Sequence, residues 1–460
     1  MNRRERLFSL LREKGRDSGI IILPGNEESP RNYKDNCYPF RQDASFLYYI
    51  GLAEPGLAAV MDVDEGKTTL YGNNPLPGDE IWTGFKPSLS EKAARSGITD
   101  VACLAALKQS ISSCLQKKRR LFHLPPYRSE TVLFMAGLTG WAPETVQESF
   151  SEDLADAVIT MRSVKEAREI REMEKAADMA ADAYAAFSQV IAPGVHETVI
   201  KGIIEGEIAK AGGTASFPPI VTVRGDILHN HDCSHVLKDG DLFLVDSGAE
   251  TSMGYASDFT RVYPVSGRFS GTQKTVYNIV LKAQETAISM MKPGVSFKNI
   301  HLMAANIIAE GLKDMGILKG DMDEAVNLGA HALFSPHGLG HLIGLDVHDM
   351  ESIGENRVGY GNEAERSAVF GHAALRFARK LCPGHTITVE PGIYFITGLI
   401  DAWASQGKFK EFINYSALEK LRNFGGIRIE DDVLVTADGP KILGKPVLKH
   451  PDDIESLLGG

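Results

Sequence analysis

Cysteine is scarce in this chain, and neither an export signal nor a membrane span can be recognised in it. Only five cysteines occur among 460 residues, and no two of them form a Cys-x-x-Cys pair. A scattered, odd set of this kind fits reduced thiols better than a disulfide framework. The first residues, MNRRERLFSLLREKG, carry charges throughout and lack the apolar core of a signal peptide. No stretch approaches the ~18 apolar residues of a membrane span. These absences predict a cytoplasmic protein that has no membrane partner.

Positive charge is in deficit. Lysine and arginine total 49 against 60 acidic residues, so the formal net charge is -11 and the pI is about 5.7. Because an acidic surface repels phosphate backbones, we expect no nucleic-acid partner. No run of five or more like charges occurs, which argues against a charged tail.

Several catalytic motifs are missing as well. The sequence has no G-x-S-x-G elbow, no H-E-x-x-H helix and no glycine loop of the phosphate-binding kind. Serine hydrolase, zincin and P-loop functions are therefore unsupported.

A helix-rich stretch indicates where one domain gives way to another. Residues 164–190 are rich in Ala, Glu, Met and Lys, and Ala-Pro-Gly follows them. We place a boundary at about Thr160, with an N-terminal domain over residues 1–160 and a second domain over residues 161–460. In the first domain, residues 57–71 predict two strands around an Asp-Glu-Gly turn, and residues 104–114 and 129–138 have helical patterns.

The second domain alternates strands and helices, so the predicted fold class is α/β (α+β). We expect strands at residues 219–223, 242–246, 259–263, 386–389 and 427–435. We expect helices at residues 271–291 and 297–315, and a weaker one after Ala364.

Acidic side chains stand at the ends of these strands. Asp246 ends LFLVD, Asp258 precedes FTRVY, Glu390 ends TITVE and Glu430 lies in GIRIEDDVLV. A bare carboxylate at a sheet margin is costly unless it is paired or bound to a cation. Taken singly, however, an Asp after a strand is usually a turn residue, and a Glu in IRIEDD is usually a solvated strand end.

Three histidines accompany the carboxylates. His337 and His341 frame the loop HGLGH, and His348 follows in GLDVHD. The two glycines allow the backbone to bring both imidazoles into one pocket, whereas structural histidines seldom cluster in this way. An oxygen-rich ligand set favours Mn²⁺ or a similar hard divalent ion. Four carboxylates exceed the charge of one such ion, so two ions ~3.5–4 Å apart would balance the site.

Five segments, in order along the chain, carry a resemblance to a known family. LVDSGAE, GYASDFTR, SPHGLGHLIGLDVHD, TVEPGIYF and FGGIRIEDD resemble the signature of aminopeptidase P and prolidase, which are pita-bread metallopeptidases. Methionine aminopeptidase is a more distant relative. In the first domain, YPFRQDASFLYYIGLAEPG and IWTGF resemble the N-terminal domain of the same enzymes. The resemblance implies a C-terminal pita-bread domain behind a smaller N-terminal α/β domain.

The resemblance also implies roles for individual residues. The five metal ligands of the family fall on Asp246, Asp258, His341, Glu390 and Glu430. The family's substrate-side histidines fall on His337, His348 and His229. Arg428 matches an arginine two residues before the last ligand, and the alternation of a strand would turn both side chains into the site. Two positions depart from the pattern: the interval from Asp246 to Asp258 is 258 − 246 = 12, one longer than usual, and Asn230 stands where an aromatic is common.

The implied reaction is hydrolysis of the bond between an N-terminal residue and proline. Two divalent ions, preferably Mn²⁺ with Co²⁺, Fe²⁺ or Zn²⁺ as alternatives, would activate a water. Glu390 would accept its proton and pass it to the proline nitrogen, and His348 and His337 would stabilise the oxyanion. His229 would hold the proline side. Proline-containing dipeptides or oligopeptides are the expected partners, and relatives of this type are usually homodimers or homotetramers.

Two branches of the family remain open as alternatives. Arg376, in LRFARKL, falls where prolidases keep a carboxylate-binding arginine, and residues 397–424 resemble bacterial Xaa-Pro dipeptidases; a surface ion pair is the plainer interpretation of Arg376. The interval from His229 to Asp246 (246 − 229 = 17) and the N-terminal motif resemble aminopeptidase P instead. We favour the dipeptidase. Trp82 would line the proline pocket of a neighbouring subunit, or else pack within its own domain.

Two further hypotheses come from other classes. Some pita-bread relatives are non-catalytic binding modules, but these have lost metal ligands, whereas all five are present here. The segment HNHDCSH superficially resembles the H-x-H-x-D-H motif of a different metallohydrolase, using His229, His231 and His235. Its offsets do not match, and we expect His231 and His235 to be solvent-facing loop residues.

Overall fold

Two units make up the protein in a computed structural model that describes residues 2–459. The first comprises Met1–Arg162 with Ser352–Gly354, and the second comprises Ser163–Glu351 with Glu355–Gly460. No helix among the described residues combines the length and the apolar character that crossing a bilayer would require.

A mixed five-stranded sheet organises the first unit. Its strands are β1 (Ile20–Pro24), β2 (Ala58–Asp62), β3 (Lys67–Gly72), β4 (Asp100–Cys103) and β5 (Leu121–Phe122). They are ordered β4-β3-β2-β1-β5, and the parallel pairs lie at the two edges. Ile20 and Ile22, two apart on β1, share one face of the sheet and belong to one core cluster with Ile111 and Met135.

Between residues 2 and 163 of the described chain, eight helices accompany this sheet. They are α1 (Arg3–Glu13), α2 (Ala44–Ile50), α3 (Glu80–Thr83), α4 (Leu89–Arg95), α5 (Leu107–Gln116), α6 (Ser129–Thr139), α7 (Pro143–Glu148) and α8 (Glu152–Ser163). A 3₁₀ turn at Leu104–Ala106 precedes α5. The predicted hairpin and both predicted helices are thus confirmed. Gly66, with φ +67°, closes the hairpin turn in the left-handed region that glycine tolerates.

Short antiparallel sheets form the centre of the second unit. Its strands are β6 (Thr214–Ala215), β7 (Ile220–Thr222), β8 (Leu242–Ser247), β9 (Ala249–Glu250), β10 (Phe259–Pro264), β11 (Thr386–Val389), β12 (Gly392–Tyr394), β13 (Gly426–Arg428), β14 (Asp431–Val435) and β15 (Pro440–Ile442). They pair as β10-β8-β7, β11-β14-β15, β12-β13 and β6-β9. Residues of β8, β10, β11 and β14 are buried throughout, so hydrophobic positions hold these strands in the core.

The helices of this unit include three long amphipathic ones. They are α9 (Ala167–Ser188), α10 (Glu197–Lys210), α11 (Gly271–Met290), α12 (Phe297–Asp314), α13 (Met322–Leu328), α14 (Glu351–Gly359), α15 (Thr397–Ser405), α16 (Tyr415–Leu418) and α17 (Pro451–Leu457). Further 3₁₀ turns lie at Ala330–Leu333, His372–Ala374 and Glu419–Leu421. The helices predicted at residues 164–190, 271–291 and 297–315 are confirmed, whereas α10 was not anticipated.

Two expectations for the second unit are wrong. Residues 427–435 do not form one strand, because the chain changes partner there: β13 pairs with β12, Glu430 bridges to Thr260, and β14 pairs with β11. The weaker helix after Ala364 is absent, and only the 3₁₀ turn forms there. Gly371, in this segment, adopts φ of +88°, which a right-handed helix does not allow.

Candidate metal centre

A cavity of about 370 Å³ in the second unit contains all the residues predicted for this unit's site. Carboxylates and imidazoles line one part of it, and apolar side chains line another. The lining residues are Phe217, Pro218, Ile220, Leu228, His229, His231, Asp246, Asp258, His337, Gly338, Gly340, His341, Val347, His348, Ala374, Arg376, Glu390, Arg428 and Glu430. Concave sites with an apolar wall and a few convergent polar groups are the usual form of a substrate pocket.

Strand pairing brings together the carboxylates of Asp246, Asp258 and Glu430. Strands β8 and β10 are antiparallel, with Thr260 opposite Asp246, which places Asp258 beside the end of β8. Thr260 also bridges to Glu430, whose backbone N–H donates to the Thr260 carbonyl at 3.1 Å. The Thr260 hydroxyl donates to Glu430 Oε2 at 2.6 Å. One threonine therefore aligns two carboxylates from distant parts of the sequence.

Backbone hydrogen bonds join the loop between His337 and His341 to β11, and Glu390, the remaining carboxylate, directly follows that strand. The backbone N–H of Thr388 donates to the His341 carbonyl at 3.0 Å, and that of Glu390 donates to Leu339 at 2.8 Å. Nδ1 of His341 lies 3.1 Å from its neighbour's carbonyl at Leu342. A backbone carbonyl on one ring nitrogen is the usual support of a metal-bound histidine, whose other nitrogen remains for the ion.

Three of the five predicted ligands form a tight group. One ligating atom each from Asp258, His341 and Glu430 lie within 4.8 Å of one another, and all three residues are buried. Nε2 of His341 is 3.6 Å from Asp258 Oδ2 and 3.8 Å from Glu390 Oε1. Asp246 and Glu390 line the same cavity. The structure therefore brings all five together.

The buried carboxylates of this site carry uncompensated negative charge when they are ionised. Burial, and then the neighbouring charge of Asp246, raises the pKa of Asp258 well above its usual range. Burial and the charge of Asp258 do the same to the pKa of Glu430. Within residues 2–459, the buried Oδ1 atoms of Asp246 and Asp258 have no hydrogen-bond partner. Buried acceptors without a donor are expensive, and a divalent cation would satisfy them, so the donor set fits a hard metal ion.

Arg428 offsets part of this negative charge. Its Nη2 donates to Asp246 Oδ2 at 2.6 Å, its Nη1 donates to the Tyr394 hydroxyl at 2.9 Å, and its Nε donates to Thr260 at 3.1 Å. Arg428 is 4% exposed. It shares the cavity wall with Glu430, as the two-residue spacing predicted, although the strand is interrupted between them.

The substrate-side histidines differ in what their nitrogens contact. Nδ1 of His337 lies 2.8 Å from the Gly338 carbonyl and Nε2 lies 2.9 Å from the Tyr394 hydroxyl, so both nitrogens are engaged. The ring of His348 stacks on His341, with 3.9 Å between centroids, and its Nδ1 lies 3.1 Å from Glu351. Nε2 of His348 is the nitrogen that Glu351 leaves open.

The region around His229 clarifies the departure at Asn230. Asn230 is buried and donates to the Thr222 hydroxyl at 2.9 Å, and it does not line the cavity. Asn230 therefore contributes a hydrogen bond to the local structure and does not contribute to the wall of the cavity. His231 is exposed, as expected of a solvent-facing loop residue, and it also lines the cavity, which was not expected.

The rival histidine set does not assemble. Nδ1 of His235 contacts Glu197 at 3.3 Å, away from the cavity lining. Among the described residues, the group of Asp258, His341 and Glu430 is the one cluster with metal-ligand spacing.

The two residues predicted to bind substrate lie in different units. Arg376 lines the cavity, and its Nη1 donates to Glu351 Oε2 at 2.5 Å, so it makes an ion pair and also faces the site. Trp82 lies on α3 of the first unit and is 87% exposed, which leaves packing within its own unit without support.

Several supporting residues escaped the sequence analysis. Asp432 accepts the backbone N–H of Asp258 at 2.9 Å, and Lys165 forms an ion pair with Asp349 at 2.8 Å in which both side chains are 1% exposed. Asp349 directly follows His348. Only the doubled acid in IRIEDD and the His-Asp dipeptide hinted at these roles, because the partners are far apart in sequence.

Comparisons with known proteins agree with this geometry. Residues 171–437 match the model of metallopeptidase family M24, and residues 1–122 match that of the aminopeptidase P N-terminal domain. The human Xaa-Pro dipeptidase is 32% identical over 99% of this chain and 92% of its own length. A probable Xaa-Pro aminopeptidase of Sordaria macrospora is 31% identical over 96% of this chain and 91% of its length.

Solved structures extend the likeness to the fold. Aminopeptidase PepP of Pseudomonas aeruginosa superposes with a TM-score of 0.80 at 28% identity, covering 99% of this chain and 97% of that one. Zinc-substituted E. coli aminopeptidase P in complex with product gives a TM-score of 0.79 at 27% identity over 99% and 98%. The expected pita-bread fold with an N-terminal domain is confirmed. Because the family model spans more than half of the chain and these relatives match along nearly its whole length, the chain belongs to metallopeptidase family M24.

Proposed function

We propose that this protein hydrolyses the peptide bond between an N-terminal residue and proline, with a preference for Xaa-Pro dipeptides. The observation that carries the proposal is the buried group of Asp258, His341 and Glu430, with unpartnered carboxylate oxygens, in a cavity of an M24 fold. Residues 161–460 would form the catalytic domain.

Two divalent ions, preferably Mn²⁺, are the cofactors we propose. Asp258, His341 and Glu430 would hold them together with Asp246 and Glu390, which border the same cavity. Carboxylate oxygens dominate this set, which favours a hard ion over thiolate-preferring zinc, although Co²⁺, Fe²⁺ or Zn²⁺ would also fit. Four carboxylates carry more negative charge than one divalent ion offsets, which supports a count of two.

Bound divalent ions would polarise the scissile carbonyl and lower the pKa of a water in the site. Glu390 would take the proton of that water and deliver it to the proline nitrogen as the bond breaks. Its Oε2 lies 3.7 Å from His337 Nδ1 and its Oε1 lies 3.8 Å from His341 Nε2, so it borders both the ligands and the substrate histidines.

The histidines would position substrate oxygens around this centre. Nε2 of His348 is open towards a substrate, whereas His337 would donate to an oxyanion only by exchanging its contact with Gly338 or Tyr394. His229 would hold the proline side, and Arg428 would orient Asp246 through their 2.6 Å hydrogen bond.

The walls of the cavity suit a proline ring and a carboxylate. Phe217, Ile220 and Leu228 supply an apolar surface of the kind that a pyrrolidine ring would cover. Arg376 would bind the free carboxylate of a dipeptide. The names of the relatives favour neither branch: one is a dipeptidase and another a probable aminopeptidase, so cleavage of longer Xaa-Pro peptides is the second candidate.

An exposed apolar surface on the first unit supports a homodimer or homotetramer. Ile81, Trp82 and Phe85 are 78%, 87% and 85% exposed, and contiguous exposed apolar side chains commonly mark an interface. Trp82 would then reach the site of a neighbouring subunit. We also propose a cytoplasmic location, which the five free cysteines support.

Activity against matched peptides tests this function. Purified protein supplied with Mn²⁺ should hydrolyse an Xaa-Pro dipeptide, and Glu390→Gln should lower kcat by roughly 100-fold or more because the proton carrier is lost. The longer peptide Xaa-Pro-Yaa-Zaa, offered alongside, distinguishes the branches. Efficient turnover of the longer peptide would remove the dipeptidase preference. Activity that survives thorough chelation would remove the metallopeptidase mechanism.

A further inference from the structure

One carboxylate, that of Glu351, contacts two residues of the cavity wall that lie on separate segments. Its Oε2 receives Nη1 of Arg376 at 2.5 Å and lies 3.1 Å from Nδ1 of His348. Its other oxygen, Oε1, is buried and has no hydrogen-bond partner among residues 2–459. Glu351 itself does not line the cavity, so it acts on the site through these two neighbours.

We propose that Glu351 is a positioning residue that gives the site its selectivity for peptides ending at proline. This inference rests on the proposed function, since it concerns how Arg376 meets the carboxylate of an Xaa-Pro dipeptide. Glu351 holds the guanidinium on one side and leaves its other N–H groups for the substrate. It orients His348 at the same time.

The contact with Arg376 restricts a long and flexible side chain. Arg376 is 35% exposed, and its other nearby carboxylate, Glu355, is 3.9 Å away, beyond hydrogen-bonding distance. Glu351 engages only Nη1, so Nε and Nη2 remain as donors for a second carboxylate. A guanidinium that is already fixed loses less conformational freedom when it binds its ligand.

The contact with His348 selects the tautomer of the ring. An ionised carboxylate only accepts hydrogen bonds, so Nδ1 of His348 carries the proton that it donates to Glu351. Stacking on His341 at 3.9 Å holds the plane of the ring. Together these contacts leave Nε2 as the atom of His348 that is offered to the substrate.

The backbone shows how Glu351 comes to this position. It is the first residue of α14, and Met350 before it adopts φ +65°, the left-handed conformation that residues with a side chain rarely use. Met350 is 1% exposed, so core packing maintains this conformation. The turn after His348 and Asp349 thereby carries the carboxylate back towards the imidazole.

The test compares two substrates that differ only at the carboxylate: an Xaa-Pro dipeptide and the corresponding Xaa-Pro amide. For Glu351→Gln we expect the KM of the dipeptide to rise about 10-fold, the value of one lost charge-assisted hydrogen bond, with little change in kcat. The amide should be hydrolysed with unchanged KM. Glu351→Ala, which also releases His348, should in addition lower kcat on both substrates.

A second experiment measures whether Glu351 acts through Arg376. Arg376→Met should also raise the KM of the dipeptide alone, and the Glu351→Gln/Arg376→Met double variant should be no worse than Arg376→Met. Glu355→Gln removes a neighbouring carboxylate and serves as the matched control, with kinetics close to those of the unmodified protein.

The outcomes separate this inference from the function on which it rests. If the unmodified protein hydrolyses neither substrate, both fail. If the unmodified protein is active but Glu351→Gln raises KM equally for the dipeptide and the amide, only the positioning role fails. The same holds if Glu355→Gln raises the KM of the dipeptide as much as Glu351→Gln does. A lower KM for the dipeptide in Glu351→Gln would also overturn it, because Glu351 would then compete with the substrate for Arg376.

Discussion

Gly340, between the two histidines of the HGLGH loop, has room for hydrogen only. A Cβ atom there would lie 1.8 Å from the Thr388 carbonyl oxygen, on the strand that ends at Glu390. The close approach allows the Thr388 N–H to donate to the His341 carbonyl, and the His341 N–H to donate to the Thr388 hydroxyl. We expect Gly340→Ala to destabilise the protein by about 3 kcal/mol and to abolish activity, because loop and strand must separate.

Chemical denaturation and activity measurements check this expectation. Gly206→Ala is the matched control: Gly206 lies within α10, and its Cβ would meet nothing within 4 Å. Since alanine is the better helix former, this variant should be about 0.5–1 kcal/mol more stable. An active, fully stable Gly340→Ala protein would show that the close approach is not required.

Arg428 is the second residue whose replacement should have a large effect. Replacement by methionine would remove three hydrogen bonds and leave the buried carboxylate of Asp246 without its counter-charge. We expect a loss of about 3–5 kcal/mol, as for other broken buried ion pairs. Arg422→Met, at an exposed ion pair with Glu419, should change the midpoint of urea unfolding little. Equal midpoints for the two variants would contradict the argument.

How far the site could be predicted depends on the kind of residue. Asp246 and His341 lie in motifs whose resemblance to a family places them, although only the structure brings them into one cavity. Glu351 and Asp432 were not found, because each acts through a partner that only the folded chain supplies. A carboxylate at the start of a helix looks like any N-terminal helix charge until its neighbours are known.

At the scale of elements, predictions succeeded where hydrophobic pattern alone decides the structure. Strands β8, β10 and β11 were located within a residue, since they are short runs rich in β-branched, aromatic and other apolar residues. The break between β13 and β14 was missed because it comes from a change of pairing partner, which leaves no trace in residue pattern. The helix predicted after Ala364 is absent for a different reason, since Gly371 interrupts that segment with a positive φ that a right-handed helix does not allow.

The 3₁₀ turn at Ala330–Leu333 places a buried histidine that should make the protein acid-sensitive. His331 is 1% exposed, neither ring nitrogen has a partner among the described residues, and burial followed by the proximity of His372 lowers its pKa to about 3. Because the folded-state pKa lies below the ordinary value of about 6.5, the stabilising contribution is complete above pH 6.5 and is lost as pH falls towards 3.

His331→Leu should remove this sensitivity. Between pH 7 and pH 5 the unmodified protein should lose about 2 kcal/mol more unfolding free energy than the variant does, since His331 resists protonation only when folded. Denaturant unfolding at each pH measures the difference. His450→Leu, at a side chain that is 56% exposed, should keep the pH dependence of the unmodified protein. If the unfolding free energy of the unmodified protein and of His331→Leu fell equally with pH, His331 would not be the source of the acid sensitivity.

For the whole molecule, the metal centre joins segments that are far apart in the chain. Asp246, Asp258, His341, Glu390 and Glu430 come from four strands' ends and one loop, so a bound cation would crosslink the core of the second unit. A ligand at 100 times its Kd stabilises the folded state by about 2.7 kcal/mol. For a unit of this size we therefore expect Mn²⁺ to raise Tm by roughly 4 °C over the chelated protein.

The variant Asp258→Asn tests separately the effect of the metal and the effect of carboxylate repulsion on the melting temperature. In the chelated state the variant should melt at a higher temperature than the unmodified protein, because one of the mutually repelling buried carboxylates is gone. With Mn²⁺ present the order should reverse. Calorimetric scans with and without metal give both comparisons, and a variant that is less stable in both states would argue against electrostatic strain in the empty site.

The buried ion pair between Lys165 and Asp349 determines where this polypeptide tolerates dissection. Lys165 lies near the start of the second unit, two positions after Ser163, and Asp349 directly follows His348. A fragment or chimera that begins after Lys165 would lose the lysine that forms this ion pair with the buried carboxylate of Asp349, beside His348. Junctions for domain exchange should accordingly be chosen upstream of Ser163, so that the donor half brings this lysine with it.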